Sequence, residues 1–290
     1  ETAATVSNSE EFGEWLATVR GDTAVIVSDH RPVPLSQYMM VGRKVFPLFE
    51  PGTDGRVNRE LEHAIARIEA GSADEGRRDF EEGRGFRSRA AGRRSGHERG
   101  QDRIRPVGRP EVVQALQSRD MLPAIIFIFS RAGCDGALFQ CLRSRKELTT
   151  PEEQEEIKNI IDDGVADIPA EDLDVLNYRQ LRTAWTRGFA AHHAGMLPAF
   201  KHIVEELFVR GLVKVVFATE TLALGINMPA RTVVLEKLIK FNGEAHVDLT
   251  PGQYTQLTGR AGRRGIDTIG NAVVQWLSLI HISEPTRPER

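Results

Sequence analysis

Four short apolar runs constrain this chain more than any other feature: AIIFIFS (124–130), VKVVFAT (213–219), RTVVLEKL (231–238) and GNAVVQW (270–276). Their cores do not alternate apolar with polar residues, the pattern of parallel strands covered on both faces. A further short strand enters a tight turn in GFAAHHAG (188–195). Helical periodicity fills the intervals, through DGALFQCL (135–142), through EEQEEIKNII (152–161) after Pro151, and through AFKHIVEELFVRG (199–211), which stops at a glycine. Strands and helices alternating at this spacing predict a doubly wound, mostly parallel α/β sheet. No internal repeat competes with that reading.

Upstream, FGEWLATVR (12–20) carries Phe12, Trp15, Leu16 and Val19 at helical spacing, TAVIVS (23–28) reads as a strand, and residues 31–51 read as an extended connector with strand character. Between Ser72 and Arg109 the composition shifts to eleven arginines and seven acidic residues with few aliphatic side chains. Such a segment buries too little apolar surface to offset the entropy of ordering, so disorder is expected. It resembles Arg/Gly segments that attach to single-stranded nucleic acid by charge and stacking. A solvated linker of mixed sign explains it as well.

A formal charge of −3 excludes a uniformly basic nucleic-acid wrapper. Cys134 and Cys141 are too few for a disulfide framework or a four-ligand zinc site, and are expected as packed thiols in a reducing, cytoplasmic setting. No membrane span or signal pattern is expected, since no apolar run reaches about 18 residues. The start ETAATVSN reads as a truncated reading frame. At the other end, LSLIHISEPTR (277–287) resembles the translation of a sequencing-library adapter, so residues 277–290 are set aside from fold reasoning.

Ligands of open parallel sheets gather beyond the carboxyl ends of the strands, which selects polar residues there. Thr219, Glu220 and Thr221 follow one strand, ahead of Gly225 and Asn227, and suit phosphate or sugar contacts. Alternatively, Thr221 caps a helix and Glu220 lies in solvent. Ser130 and Arg131 follow another strand, the arginine being a phosphate donor. His192 and His193 are adjacent, so they cannot form a helical metal pair, and no metal site is expected. With Gly195 they suit a turn that contacts a ligand's backbone, or a packed histidine pair. In QYTQLTGRAGRRG (253–265), Gln256, Arg260 and Arg263 stand at i, i+4 and i+7, on one face if the segment is helical. Two guanidinium groups on one face call for an anion, and Gly259 and Gly262 would keep the surface low enough for a facing lobe. A solvated basic helix end is the rival reading.

FIFSR, HHAGMLP, FATETLALGINMP and QLTGRAGRRG, in this order and approximate spacing, resemble the second RecA-like lobe of superfamily-two helicases. With ATVSNSEEFGEWL and EHAI, residues 1 to 276 resemble a bacterial member of the superkiller, exosome-associated DExH-box group. The resemblance implies residues 1–50 as the end of a first lobe and connector, 51–110 as a linker, and 111–276 as the second lobe. It implies an ATP-dependent helicase that acts on single-stranded nucleic acid, RNA by preference, with the RNA-degradation machinery as partner. Gln256, Arg260 and Arg263 would meet the phosphates of ATP, the arginines as fingers, with Gly225, Asn227, Gly259 and Gly262 near the nucleotide. Ser130, Arg131, His193, Gly195, Thr219 and Thr221 would grip the strand. Two departures restrict the match. Ala3, Ala4 and Thr5 stand where the family has Ser-Ala-Thr, and the sequence contains neither a G-x-x-x-x-G-K-[ST] phosphate loop nor an acidic DExH box, which would hold most of the ATP and Mg²⁺. This chain alone is therefore expected not to hydrolyse ATP. Two other readings stay open: a nucleic-acid-binding module without catalysis, and a RecA-like nucleotide-binding protein that does not unwind.

Overall fold

A computed structural model describes residues 9–21, 31, 33–53, 55–82, 107–224, 228–241 and 243–276. In chain order the elements are α1 (Ser9–Arg20), β1 (Leu35–Val41), β2 (Lys44–Pro47), α2 (Arg59–Glu82), α3 (Arg109–Gln117), β3 (Ala124–Phe127), α4 (Arg131–Arg143), α5 (Pro151–Gly164), α6 (Ala170–Val175), α7 (Tyr178–Thr186), β4 (Phe189–His192), α8 (Pro198–Val209), β5 (Val215–Ala218), β6 (Thr232–Leu235), β7 (Ile239–Phe241), β8 (His246–Asp248), α9 (Pro251–Thr258) and β9 (Gly270–Gln275). A 3₁₀ turn, Glu220–Leu224, follows β5.

Seven strands form one sheet in the order β2-β1-β9-β6-β3-β5-β4, parallel except for the β1–β2 pair. Every residue of β3, β4, β5 and β6 is buried, which explains their unbroken apolar sequence. Successive residues serve opposite faces. Ile125, Phe127, Val216, Ala218 and Val233 pack with α5 and α8, whereas Ala124, Ile126, Val215, Phe217 and Val234 pack with α3 and α4. On the first face Trp185 is fully buried and meets Phe200 edge-on, with ring centroids 5.5 Å apart.

Local signals set the helix starts. Thr150 and Thr250 each accept a backbone N–H from the third helical residue, Glu153 and Gln253, whose side chains accept the threonine N–H in return; Pro151 and Pro251 open the two helices. Cys134 and Cys141 are packed thiols on the inner face of α4, and burial pushes both up to about 12. Among the described residues no helix is long and apolar enough to cross a membrane.

The connector joins the sheet instead of merely preceding it. β1 pairs in parallel with β9 from Leu35↔Gly270 to Met40↔Gln275, so the body containing residues 111–276 also includes residues 35–47. α2 covers this edge through Leu61 and Ala64, and its backbone stays helical past Ser72 to Glu82. Residues 83–106, the strand proposed at 23–28, the Ala3–Thr5 segment and residues 277–290 lie outside the described residues.

Candidate nucleic-acid and phosphate sites

Two clusters occupy opposite ends of the sheet. The first lies beyond the carboxyl ends of β3, β5 and β4, which are neighbours. Ser130 leaves β3 and caps α4, its Oγ accepting the Gly133 N–H at 3.2 Å; Ser130 and Arg131 are both exposed. Gly195 lies against the stem of Arg131: a Cβ there would sit 3.5 Å from Arg131 Cδ. The Thr219 N–H donates to the His192 carbonyl at 3.3 Å, and the Thr219 and Thr221 hydroxyls share a hydrogen bond of 2.9 Å. Ser130, Arg131, Gly195, Thr219 and Thr221 thus line one rim of hydroxyls, backbone and a guanidinium.

The histidines do not project from that rim. His193 is buried: the Gly195 N–H donates to its Nδ1 at 3.2 Å, which leaves the proton on Nε2 to meet Asp135 Oδ1 at 3.0 Å. It braces the turn, so the direct strand contact expected of its side chain is corrected to a supporting one. His192 is also buried, paired through Nε2 with Glu205 Oε1 at 2.8 Å, and burial lowers its pKa against the pull of Glu205. A histidine kept neutral in the fold takes up its proton more readily when unfolded. Stability is therefore intact above the unfolded pKa of 6.5 and declines as pH falls below it. We expect the melting midpoint to fall between pH 7 and pH 5 with a shallower slope in His192→Gln, and an unchanged slope would remove His192 as the cause.

The Glu220 side chain is 44% exposed, yet it is not free. It accepts from Lys240 Nζ at 2.7 Å and ties the 3₁₀ turn to the β7–β8 hairpin, whose exposed Phe241 packs on His246 with ring centroids 5.4 Å apart. The sequence reading missed this hairpin, although the Asn242–Gly243 pair is a turn signal.

The second cluster lies at the amino ends of β3, β6 and β9. α9 stops at Thr258, so Gln256, Arg260 and Arg263 do not share a continuous helical face as the spacing predicts. The chain turns instead to form a parallel bridge between Ala261 and Ala230, with the Ala230 N–H donating to Arg260 O at 2.9 Å and the Gly262 N–H to Ala230 O at 2.7 Å. Gly262 has φ +89, and a Cβ there would come 2.6 Å from Val33 Cγ1. Its lack of a side chain answers to this conformation and this neighbour, without any facing lobe. Gly259 has a helical φ of −57 and is exposed beside Arg260, as is Gln256.

Arg263 donates through Nε to Asp267 Oδ2 at 2.8 Å and through Nη2 to Oδ1 at 2.9 Å, while its backbone N–H also meets Oδ2 at 2.9 Å. Arg231 Nε joins from the start of β6 at 3.0 Å, and its Nη1 reaches Asp120. Hydrogen bonds from Arg263 hold the Asp267 carboxyl far below the usual carboxylate range despite its burial. Burial lowers the pKa of Arg260. Arg31 donates through Nη2 to the Thr258 and Ala261 carbonyls, at 3.1 and 2.6 Å, and through Nε to Val33 O at 2.8 Å. Asp267 and Arg31 were absent from the residues singled out in the sequence. Asp267 lies two residues past the arginine segment and its spacing of four from Arg263 was a usable signal, whereas nothing local marks Arg31, more than two hundred residues from Thr258 and Ala261. Gly225 and Asn227 lie outside the described residues.

This arrangement has known relatives. Residues 169–265 match the helicase conserved C-terminal domain, a span running from α6 through the arginine turn. The chain is 56% identical over 288 residues to Probable helicase HelY of Mycobacterium tuberculosis, covering 97% of this chain and 30% of that protein. It is 38% identical over 300 residues to the DExH-box ATP-dependent RNA helicase DExH15 of Arabidopsis thaliana (94% of this chain, 24% of that protein) and 35% identical over 279 residues to Superkiller complex protein 2 of Homo sapiens (94% and 21%). The chain thus spans less than a third of the length of the curated relatives it matches. The chain carries a helicase conserved C-terminal domain and is similar, over nearly all of its own length, to a part of each of these helicases.

Proposed function

We propose that this chain is the second lobe of an ATP-dependent nucleic-acid helicase acting on single-stranded RNA, and that its two clusters serve two ligands. The observation that carries the reading is their separation: a hydroxyl and guanidinium rim beyond the carboxyl ends of β3, β4 and β5, and an arginine turn before the amino ends of β6 and β9. One sheet can then respond to two ligands at once.

Arg131, with Ser130, Gly195, Thr219 and Thr221, would grip strand phosphates without reading bases. The exposed Phe241 face beside the rim suits base stacking. At the other end, Arg260, Arg263 and Gln256 would meet the phosphates of ATP. ATP, bound with Mg²⁺ mainly by a preceding lobe, supplies the phosphoryl group that is transferred to water. The residues here fit the phosphate part of that role. Asp267 takes only the Nε–H and one Nη2–H of Arg263, which leaves the Nη1 amino group and the second Nη2 hydrogen to donate. Among the described residues no group of three or more His, Cys, Asp or Glu side chains clusters as a metal site. Gly225 and Asn227 are proposed near the nucleotide by resemblance. A cytoplasmic setting and a link to RNA degradation belong to the same proposal by resemblance, and the two free, buried thiols fit a reducing setting.

Strand binding tests the rim. Arg131→Ala is expected to lower affinity for any single strand by a similar factor whatever its sequence, and to reduce the slope of log affinity against log salt by about 0.7, the value of one lost phosphate contact. An unchanged slope would remove Arg131 from the grip. ATP turnover in the full-length protein tests the other end: a strand-binding protein with no turnover would favour the binding-module reading.

A further inference from the structure

We infer that Arg31 is a positioning residue for the arginine turn, holding Arg260 in place from the connector that precedes the sheet. The inference rests on the phosphate-binding role proposed for that turn. Three observations carry it. The guanidinium of Arg31 bonds two carbonyls, Thr258 O and Ala261 O, that bracket Gly259 and Arg260. Both lie where α9 has run out, at or just past the negative end of the helix, which favours a cationic donor; Thr258 O accepts the Ala261 N–H as well, at 3.0 Å. The same side chain is fixed to its own strand through Nε and Val33 O, and Val33 packs against the position a Cβ of Gly262 would need. Arg31 and Val33 therefore clasp the turn from both sides of Arg260, just before the chain enters β1 at Leu35.

The clasp has a chemical reason. The Gly259, Arg260 and Ala261 amides bond back to the Thr255, Leu257 and Thr258 carbonyls, and the Ala230 bridge ties the turn to the sheet on one side. A planar fork reaching two carbonyls restrains it on the other, and a lysine ammonium could reproduce that only in part. Without the fork, Arg260 keeps its charge but loses its fixed origin.

The test uses the full-length protein with Arg31→Ala, Arg31→Lys and, as reference, Arg260→Ala. For Arg31→Ala the kcat of strand-stimulated ATP turnover is expected to fall about 10- to 100-fold, the cost of a misplacement near 1 Å. Strand affinity should stay unchanged, and the Gly262 amide should exchange faster with deuterium. Arg31→Lys should recover part of the kcat. Wild-type kcat in Arg31→Ala beside an inactive Arg260→Ala would overturn the inference alone, whereas an active Arg260→Ala would overturn the role of the turn itself. If turnover, strand binding and melting midpoint all fall together, Arg31 is only a fold support and the inference fails. Should Arg31→Ala not fold, Arg31→Gln is read in its place by the same criteria.

Discussion

Arg263→Ala is expected to reduce nucleic-acid-stimulated ATP turnover of the full-length protein by about 10³-fold or more, the scale of a lost arginine finger in phosphoryl transfer. Strand affinity should persist, because the rim of Ser130, Arg131, Thr219 and Thr221 lies at the other end of the sheet. Removing the side chain also takes two hydrogen bonds from a carboxylate that is almost wholly buried, so some loss of stability must accompany the variant. Arg263→Lys separates the two effects. It retains a cation near Asp267 but not the planar fork, and should restore stability far better than turnover. Wild-type turnover in Arg263→Ala would exclude the finger role and leave Arg263 as the structural partner of Asp267.

The second large effect concerns Asp267. Its side chain is 1% exposed and is shared by Arg263 and Arg231, themselves 20% and 28% exposed. Asp267→Ala would leave two guanidinium groups facing each other without their common carboxylate. Breaking a fully buried pair costs about 3–5 kcal/mol, and the partial solvent contact of both arginines brings the expectation down to about 2–4 kcal/mol. For a domain of this size that is a fall of roughly 5–12 °C in Tm. The pH dependence has a definite sign. A carboxyl held below its ordinary 3.8 stabilises the fold above that value, and the contribution is lost as pH falls through the lower, folded value. Asp267→Asn should therefore lose stability at neutral pH and lose less on further acidification than the parent. A Tm within about 1 °C of the parent at pH 7 would show that the arginines find other partners.

The fold was legible because its signals are local or periodic. AIIFIFS, VKVVFAT, RTVVLEKL and GNAVVQW became β3, β5, β6 and β9, and the proline-led helices began where threonine caps stand. The β7–β8 hairpin was overlooked despite its Asn-Gly pair, since its strands are three residues each and carry little periodicity. The site was only partly legible. Ser130, Arg131, Thr219 and Thr221 follow strands, and strand ends can be read from sequence. His193 was assigned to the strand, yet burial and Asp135 turn it into a brace.

Residue order alone determined the parallel α/β architecture and the presence of an arginine-rich segment before the last strand, because periodic burial and capping are encoded within a few residues of one another. It also supplied the spacing that suggested one helical face for Gln256, Arg260 and Arg263. Past the end of α9 the path is set by contacts the spacing does not show: Arg31 bonding the Thr258 and Ala261 carbonyls, Ala230 bridging Ala261, Val33 crowding Gly262 and Asp267 taking hold of Arg263. These partners stand just before β1, β6 and β9, and they meet only once the sheet has closed in its observed order. Helical spacing describes a helix that continues. Past Thr258 the chain follows the contacts that the closed sheet offers it.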